Sequence, residues 1–131
     1  MIKQLDFFGK DASFHHVGLV VENITNIVSD AQIITDPIQK VRLAFVNLNG
    51  LCLELLEPLG EDSPVLANLK NGGKLVHTCY EVKDINKTIT QCRAHGFHCI
   101  GKPVMAVAFN RNIAWVFHTQ YGLVELLEAS A

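Results

Sequence analysis

Two stretches, Phe14-His15-His16-Val17-Gly18-Leu19-Val20-Val21-Glu22-Asn23-Ile24 and Leu75-Val76-His77-Thr78-Cys79-Tyr80-Glu81-Val82-Lys83-Asp84-Ile85, can be set one above the other. His16 then meets His77, Val21 meets Val82 and Ile24 meets Ile85, at an offset of 61 residues (16 to 77). Asn23 meets Asp84, and both side chains cap a following helix well, because their oxygens accept its first free backbone N–H groups. Further along, Leu53-Glu54-Leu55-Leu56-Glu57 matches Val124-Glu125-Leu126-Leu127-Glu128 at an offset of 71 (54 to 125). Just upstream, Arg42-Leu43-Ala44-Phe45-Val46 resembles Asn112-Ile113-Ala114-Trp115-Val116. Two matches in the same order indicate a duplicated module.

The offsets differ by ten residues (61 against 71), about a helix and a strand's worth of chain that the first half lost or the second gained. The difference falls after Ile24. Residues 84–95 carry apolar side chains at Ile85, Ile89 and Cys92 and end on Gly96, which predicts a helix with a glycine beyond its C-terminus. After Ile24 only Thr25 to Asp30 precede the strand-like Ala31-Gln32-Ile33-Ile34-Thr35, so the first helix, over 24–30, has one or two turns at most.

The remaining elements follow from period and turn chemistry. Strands are predicted at 14–21, 31–35, 40–48 and 51–57, with a turn at Asp36-Pro37 and an Asn49-Gly50 hairpin. Asp62-Ser63-Pro64 starts a connecting helix, with Pro64 in its first turn, that stops at Asn71-Gly72-Gly73. Strands at 75–82, 97–102, 111–118 and 123–128 complete the second half. The pattern is α+β: two βαβββ modules in one domain over 1–131, module one about 14–57, connecting helix about 62–71, module two about 75–128.

Composition narrows the class. The chain has 131 residues, 49% hydrophobic and 18% charged, enough for a real core and too apolar for disorder. A net charge of −2 gives no basic surface for nucleic acid or an anionic membrane. No apolar run reaches the roughly 18 residues of a membrane helix. Residues 1–10 hold only the Leu5–Phe8 cluster, interrupted by Asp6, and do not read as a signal segment. Cys52, Cys79, Cys92 and Cys99 show no CxxC spacing, so they are expected to be free thiols in a cytoplasmic protein.

Four residues carry the chemistry. Glu54 lies among Leu53, Leu55 and Leu56, and Glu125 among Val124, Leu126 and Leu127. A carboxylate in so apolar a strand costs several kcal/mol unless paired, protonated or on a metal. Singly, each of these residues reads as an ordinary core or surface side chain. As two repeated pairs, His16 with His77 and Glu54 with Glu125, they read as ligands of one divalent ion. His15 competes with His16, but it aligns with Val76.

Beyond the repeat, the words His15-His16-Val17-Gly18-Leu19-Val20-Val21, Val41-Arg42-Leu43-Ala44-Phe45-Val46, Leu53-Glu54-Leu55-Leu56-Glu57-Pro58-Leu59-Gly60-Glu61-Asp62-Ser63-Pro64 and Gly122-Leu123-Val124-Glu125-Leu126-Leu127-Glu128 resemble the vicinal oxygen chelate superfamily, which holds glyoxalases, bleomycin-resistance proteins and dioxygenases. They are most similar to its methylmalonyl-CoA epimerase branch. The resemblance implies a cupped mixed sheet (the glyoxalase-like fold), with His16, Glu54, His77 and Glu125 as ligands of Co, Mn, Ni or Zn. The ligand position held by Glu54 is often Gln in epimerases and Glu in bacterial glyoxalases. The family's first helix carries about ten more residues than the stretch from Asn23 to Asp36 supplies, which alters one wall of the pocket.

The implied activity is that of a metal-dependent isomerase or lyase that stabilises an enediolate. The first expectation is 1,1-proton transfer on a 2-acyl thioester, with Glu54 and Glu125 as the bases; the alternative is a glyoxalase I-like lactoylglutathione lyase. A different class, a non-catalytic small-molecule or antibiotic-binding protein, usually lacks the complete ligand set. The expected partner is a small-molecule substrate, with Lys40, Arg42, Lys70, Lys74 and Arg111 available for thioester phosphates. Trp115, Phe45, Phe109 and Tyr80 are available to line a pocket or to pack in the core. A homodimer through open sheet edges is also expected.

Overall fold

The computed structural model describes residues 1–130. In chain order its elements are β1 (Ser13–Val20), β2 (Ile34–Asp36), β3 (Val41–Leu48), β4 (Leu51–Pro58), α1 (Leu66–Asn71), β5 (Leu75–Val82), α2 (Ile85–Arg93), β6 (His98–Ala106), β7 (Arg111–His118) and β8 (Gly122–Glu128). The strands form one curled mixed sheet in the order β2-β3-β4-β1-β5-β8-β7-β6. β1 is parallel to β4 and β5 to β8, while β1 and β5 meet antiparallel at the centre. A pseudo-twofold axis therefore passes between β1 and β5 and exchanges the two βαβββ modules.

Both faces of the central strands are covered. That is why β4 and β8 show four consecutive buried residues instead of alternation. On the inner face lie Val20, Val41, Leu43 and Leu56 from module one and Cys79, Ala106, Ile113 and Leu127 from module two. The outer face of module two packs under α2, with Phe97 fully buried among Ile85, Ile89, Val116 and Leu126. Phe7 and Phe8, from the apolar cluster near the start, pack their rings on Phe97. All four cysteines are free.

The first helix is shorter than the sequence implies. Val28 N–H donates to Ile24 O at 2.9 Å, and Ala31 N–H then donates to Val28 O, so the expected 24–30 helix is one turn of irregular chain. Its residues, Ile-Thr-Asn-Ile-Val-Ser-Asp, are β-branched or compete for backbone hydrogen bonds, and neither kind propagates a helix. The ten-residue deficit is not confined to this helix. Ile34 pairs with Leu43 as Val104 pairs with Ile113, and Asp36 pairs with Val41 as Ala106 pairs with Arg111. β2, with three residues, therefore matches only the end of the nine-residue β6. Module one lacks most of its outer strand as well as its helix.

The connecting helix is also shorter than expected. It begins at Leu66, after a turn in which Leu66 N–H donates to Ser63 O, and Pro64 sits within that turn. It ends at Gly72, whose φ of 83° is left-handed.

Candidate metal centre

The parallel and antiparallel registers converge on one spot. Gly18 pairs with both Glu54 and His77, and Cys79 pairs with both His16 and Glu125. Residues paired across a sheet share a face, so four strands deliver His16, Glu54, His77 and Glu125 to the inner face at the axis. All four predicted residues meet there, and each is at most 5% exposed.

Their donor atoms all lie within 4.8 Å of one another, and the distances that involve a histidine are nearly equal. His16 Nε2 lies 3.4 Å from Glu54 Oε1, 3.2 Å from Glu125 Oε1 and 3.3 Å from His77 Nε2. His77 Nε2 lies 3.3 Å from Glu54 Oε1 and 3.4 Å from Glu125 Oε1. A tetrahedral shell with bonds of about 2.0–2.1 Å has edges of roughly 3.3–3.4 Å. Glu125 Oε1, although buried and close to both imidazoles, makes no well-directed hydrogen bond. A buried carboxylate oxygen facing two nitrogens without a directed bond suits a cation among them. The donor set fits a borderline divalent ion.

Without a metal, protons supply the positive charge. Burial opposes charging His77, but the adjacent carboxylates of Glu125 and Glu54 outweigh it and raise its pKa to about 9. His16 moves the same way, again against burial. Burial likewise opposes the charge on Glu125, and the two histidines outweigh it, bringing its pKa down to about 2; Glu54 also falls. Burial pushes the Cys79 thiol up, with Glu125 adding to the effect, so this residue stays a neutral filler beneath the quartet.

His15, passed over in favour of His16, has a role beside it. A register shift between Phe14 and His16 marks a β-bulge that re-aims these side chains. His15 Nδ1 and His16 Nδ1 lie 2.8 Å apart. Burial lowers the His15 pKa, which favours the tautomer in which this ring accepts from His16 Nδ1–H; with an ion in place of the proton, His16 Nε2 would then turn its lone pair toward the quartet. The doublet was visible in the sequence; the bulge that joins it was not.

Glu54, His77 and Glu125 line a cavity of about 310 Å³ with mostly apolar walls. Phe109 and Trp115 line it, while Phe45 packs edge-on to His16. Tyr80 stands in a different place, against Phe8 and Phe14. Asp36, read from sequence as a turn former, also lines the cavity and is 2% exposed. Its Oδ1 accepts from Ile38 and Gln39 N–H, so it makes the turn as well. Among the five candidate cations, Lys40 pairs with Asp62, Arg42 with Glu57 and Arg111 with Glu81. No lysine or arginine lines the cavity.

A family model for the Glyoxalase/Bleomycin resistance protein/Dioxygenase superfamily matches residues 15–115, a span that holds His16, Glu54 and His77. The chain belongs to this superfamily. Within it, the mitochondrial methylmalonyl-CoA epimerase of Bos taurus is 32% identical over 97 residues, 71% of this chain and 55% of that protein. The chain spans about half the length of the curated relatives it matches. Among solved structures, a hypothetical protein from Bacillus halodurans C-125 aligns with a TM-score of 0.76 at 25% identity, covering 93% of this chain and 97% of that one. A Streptomyces coelicolor methylmalonyl-CoA epimerase variant, in complex with 2-nitronate-propionyl-CoA, aligns with a TM-score of 0.75 at 22% identity, covering 91% and 95%. The cupped sheet of paired modules is thus the superfamily's fold. No helix among the described residues is long and apolar enough to cross a membrane.

Proposed function

We propose that the chain is a metal-dependent epimerase that moves the proton at C2 of a 2-acyl thioester. The observation that carries this reading is the buried, closely spaced His16–Glu54–His77–Glu125 quartet at the edge of an apolar cavity. Its epimerase relatives supply the substrate class. His16, Glu54, His77 and Glu125 would hold the ion, which when bound stabilises negative charge developing on the thioester oxygen.

The chain's residues do the rest. The apolar walls exclude water and hold the acyl group, strengthening every charge interaction inside. Inversion at one carbon needs a base on each face, and Glu54 and Glu125 are related by the pseudo-twofold axis as such a pair would be. Each must come within hydrogen-bond reach of the C2 proton. Asp36 is the one other carboxylate lining the cavity. An Asp36→Asn change separates the roles: it leaves metal uptake intact, and it slows proton exchange only if Asp36 is a base.

The test is incubation of Co²⁺-loaded protein with methylmalonyl-CoA in D₂O. Deuterium entry at C2 with loss of chiral purity is expected, and neither should occur with Glu125→Ala. Absence of exchange in the loaded wild type overturns the reading. Glu54 at a position where bacterial glyoxalases also carry Glu favours a second reading, a glyoxalase I-like lyase. Turnover of the methylglyoxal–glutathione hemithioacetal, without thioester exchange, would establish that reading instead. Binding of either compound without turnover would make the chain a non-catalytic binding protein.

A further inference from the structure

The two histidines of the quartet are equivalent in sequence but are held by different means. His16 is oriented by a hydrogen bond, through Nδ1 to His15. The residue matching His15 in module two is Val76, which cannot hydrogen-bond through its side chain. His77 Nδ1 is buried and has no partner. A ligating histidine normally has its second nitrogen tied to an acceptor that fixes the ring. Something else must fix His77.

Two contacts do so. A Cβ placed on Gly18 would lie 2.2 Å from His77 Cε1 and 2.5 Å from Nδ1, so the ring rests directly on the glycine backbone. From another side, Trp115 meets the imidazole edge-on, with ring centroids 4.8 Å apart and planes at 86°. Trp115 is itself tethered: its Nε1–H donates to Gln39 Oε1 at 3.2 Å, across from the turn between β2 and β3. Module one therefore reaches over the cavity to hold the tryptophan that packs on the histidine of module two.

We propose that Gly18, Trp115 and Gln39 form a steric clamp that positions His77 for metal binding, in place of the hydrogen bond that positions His16. The clamp rests on the reading of the quartet as a metal site. Gln39 and Trp115 are positioning residues, since they act on the ion through His77. They also line the cavity, so a substrate oxygen that takes the indole N–H from Gln39 would loosen the clamp as it binds.

Trp115 is the only tryptophan in the chain, so its emission reports on the clamp directly. The experiment titrates Co²⁺ into metal-free wild type, Gln39→Leu, Trp115→Phe, Trp115→Leu and Gly18→Ala, following Co²⁺ absorption and, where Trp115 remains, its emission. Ile89→Val, a core change on the buried face of α2 and away from the cavity, is the control. Wild type and control should bind alike, with a change in tryptophan emission on loading. Gln39→Leu and Trp115→Leu should weaken binding about ten- to hundredfold, in the range for loss of a residue that orients a ligand. Trp115→Phe, which keeps a ring but loses the tether, should fall between them and wild type. Gly18→Ala should weaken binding most; if it fails to fold, the other variants carry the test. Wild-type affinity in both Gln39→Leu and Trp115→Leu overturns the clamp and leaves the metal site standing. A wild type that takes up no Co²⁺ overturns both.

Discussion

In module two the outer face of the sheet lies under a regular helix, with Ile85, Ile89 and Cys92 closing over Ala114, Val116 and Leu126. In module one the matching face is closed by irregular chain, with Ile24, Val28, Ala31 and Ile33 over Ala44 and Leu55. The anchors that start α2 nevertheless have counterparts in module one. Glu57 Oε1 accepts from Ile24 N–H at 3.0 Å, as Glu128 Oε2 accepts from Ile85 N–H at 3.1 Å. Asn23 caps Asn26 N–H as Asp84 caps Lys87 N–H. The turns from β2 to β3 and from β6 to β7 both close on left-handed residues, Lys40 at φ 58° and Asn110 at φ 52°. The inner face brings four donor atoms together at close spacing, which takes the same strand register in both modules. The outer face needs only to be kept dry, and many chain paths do that.

The largest expected effect tests whether the inner faces are truly equivalent. Glu54→Ala and Glu125→Ala should each weaken Co²⁺ binding on the order of a thousandfold, matching the 3–5 kcal/mol cost of breaking a buried charge constellation. Isothermal titration at fixed pH measures both. A variant that keeps tight binding would show that its glutamate stands off the ion and is free to act only as a base.

The outer faces come next. Ile24 and Ile85 occupy matching positions and are 0% and 2% exposed. Replacing either by Ala should cost about 2–4 kcal/mol, read from denaturant midpoints. Equal losses would mean that the irregular cover is as tightly packed as the helix. A much smaller loss at Ile24 would mean that the cover collapses into the space.

Much of this architecture was legible because the repeat is written in residue types that physics constrains. The His and Glu pairs, the apolar runs around them and the cap residues Asn23 and Asp84 all showed the two modules. The offset gave the size of the gap, a helix and a strand's worth of chain, but not the bounds of β2, because Ala31–Thr35 looks like a strand and only the pairing with β3 shows how little of it is used. The bulge at His15 and the bare backbone beneath His77 depend on register and on the absence of a side chain, and neither leaves a pattern along the chain. Asp36 was hidden by its second task, since a turn-forming aspartate looks the same whether or not it faces a cavity.

Both histidines hold a proton more tightly than a free imidazole does, and pH probes that hold. In the metal-free protein, His77 has a folded pKa of about 9 against 6.5 unperturbed, so its contribution to stability is complete below 6.5 and lost as pH rises through about 9. Glu125 is depressed to about 2 from 4.5, so its contribution is present above 4.5 and lost as pH falls through about 2. Thermal scans of metal-free protein should therefore show a stability maximum between about 4.5 and 6.5. Bound metal must displace the histidine protons, so Co²⁺ affinity should rise from pH 7 toward 9, with proton release that scales with buffer ionisation heat. A metal affinity flat across that range would mean that His77 is already neutral.

The smallest effect bears on the lost helix itself. Asp84 caps a nine-residue helix whose first turn it satisfies through Lys87 N–H, with Ile85 N–H taken by Glu128. Removing that cap with Asp84→Ala leaves a donor without its partner and should cost about 1 kcal/mol. Asn23 makes the same bond to Asn26 N–H, equally open to water, but the chain beyond it holds a single turn, so little helix depends on it. Asn23→Ala should therefore cost only about half as much or less, at the low end of the range for such caps. Matched denaturation curves measure the pair. Equal costs would mean that Asn23 fixes the path of the whole irregular cover, so that one exposed side chain does in module one what the body of a helix does in module two.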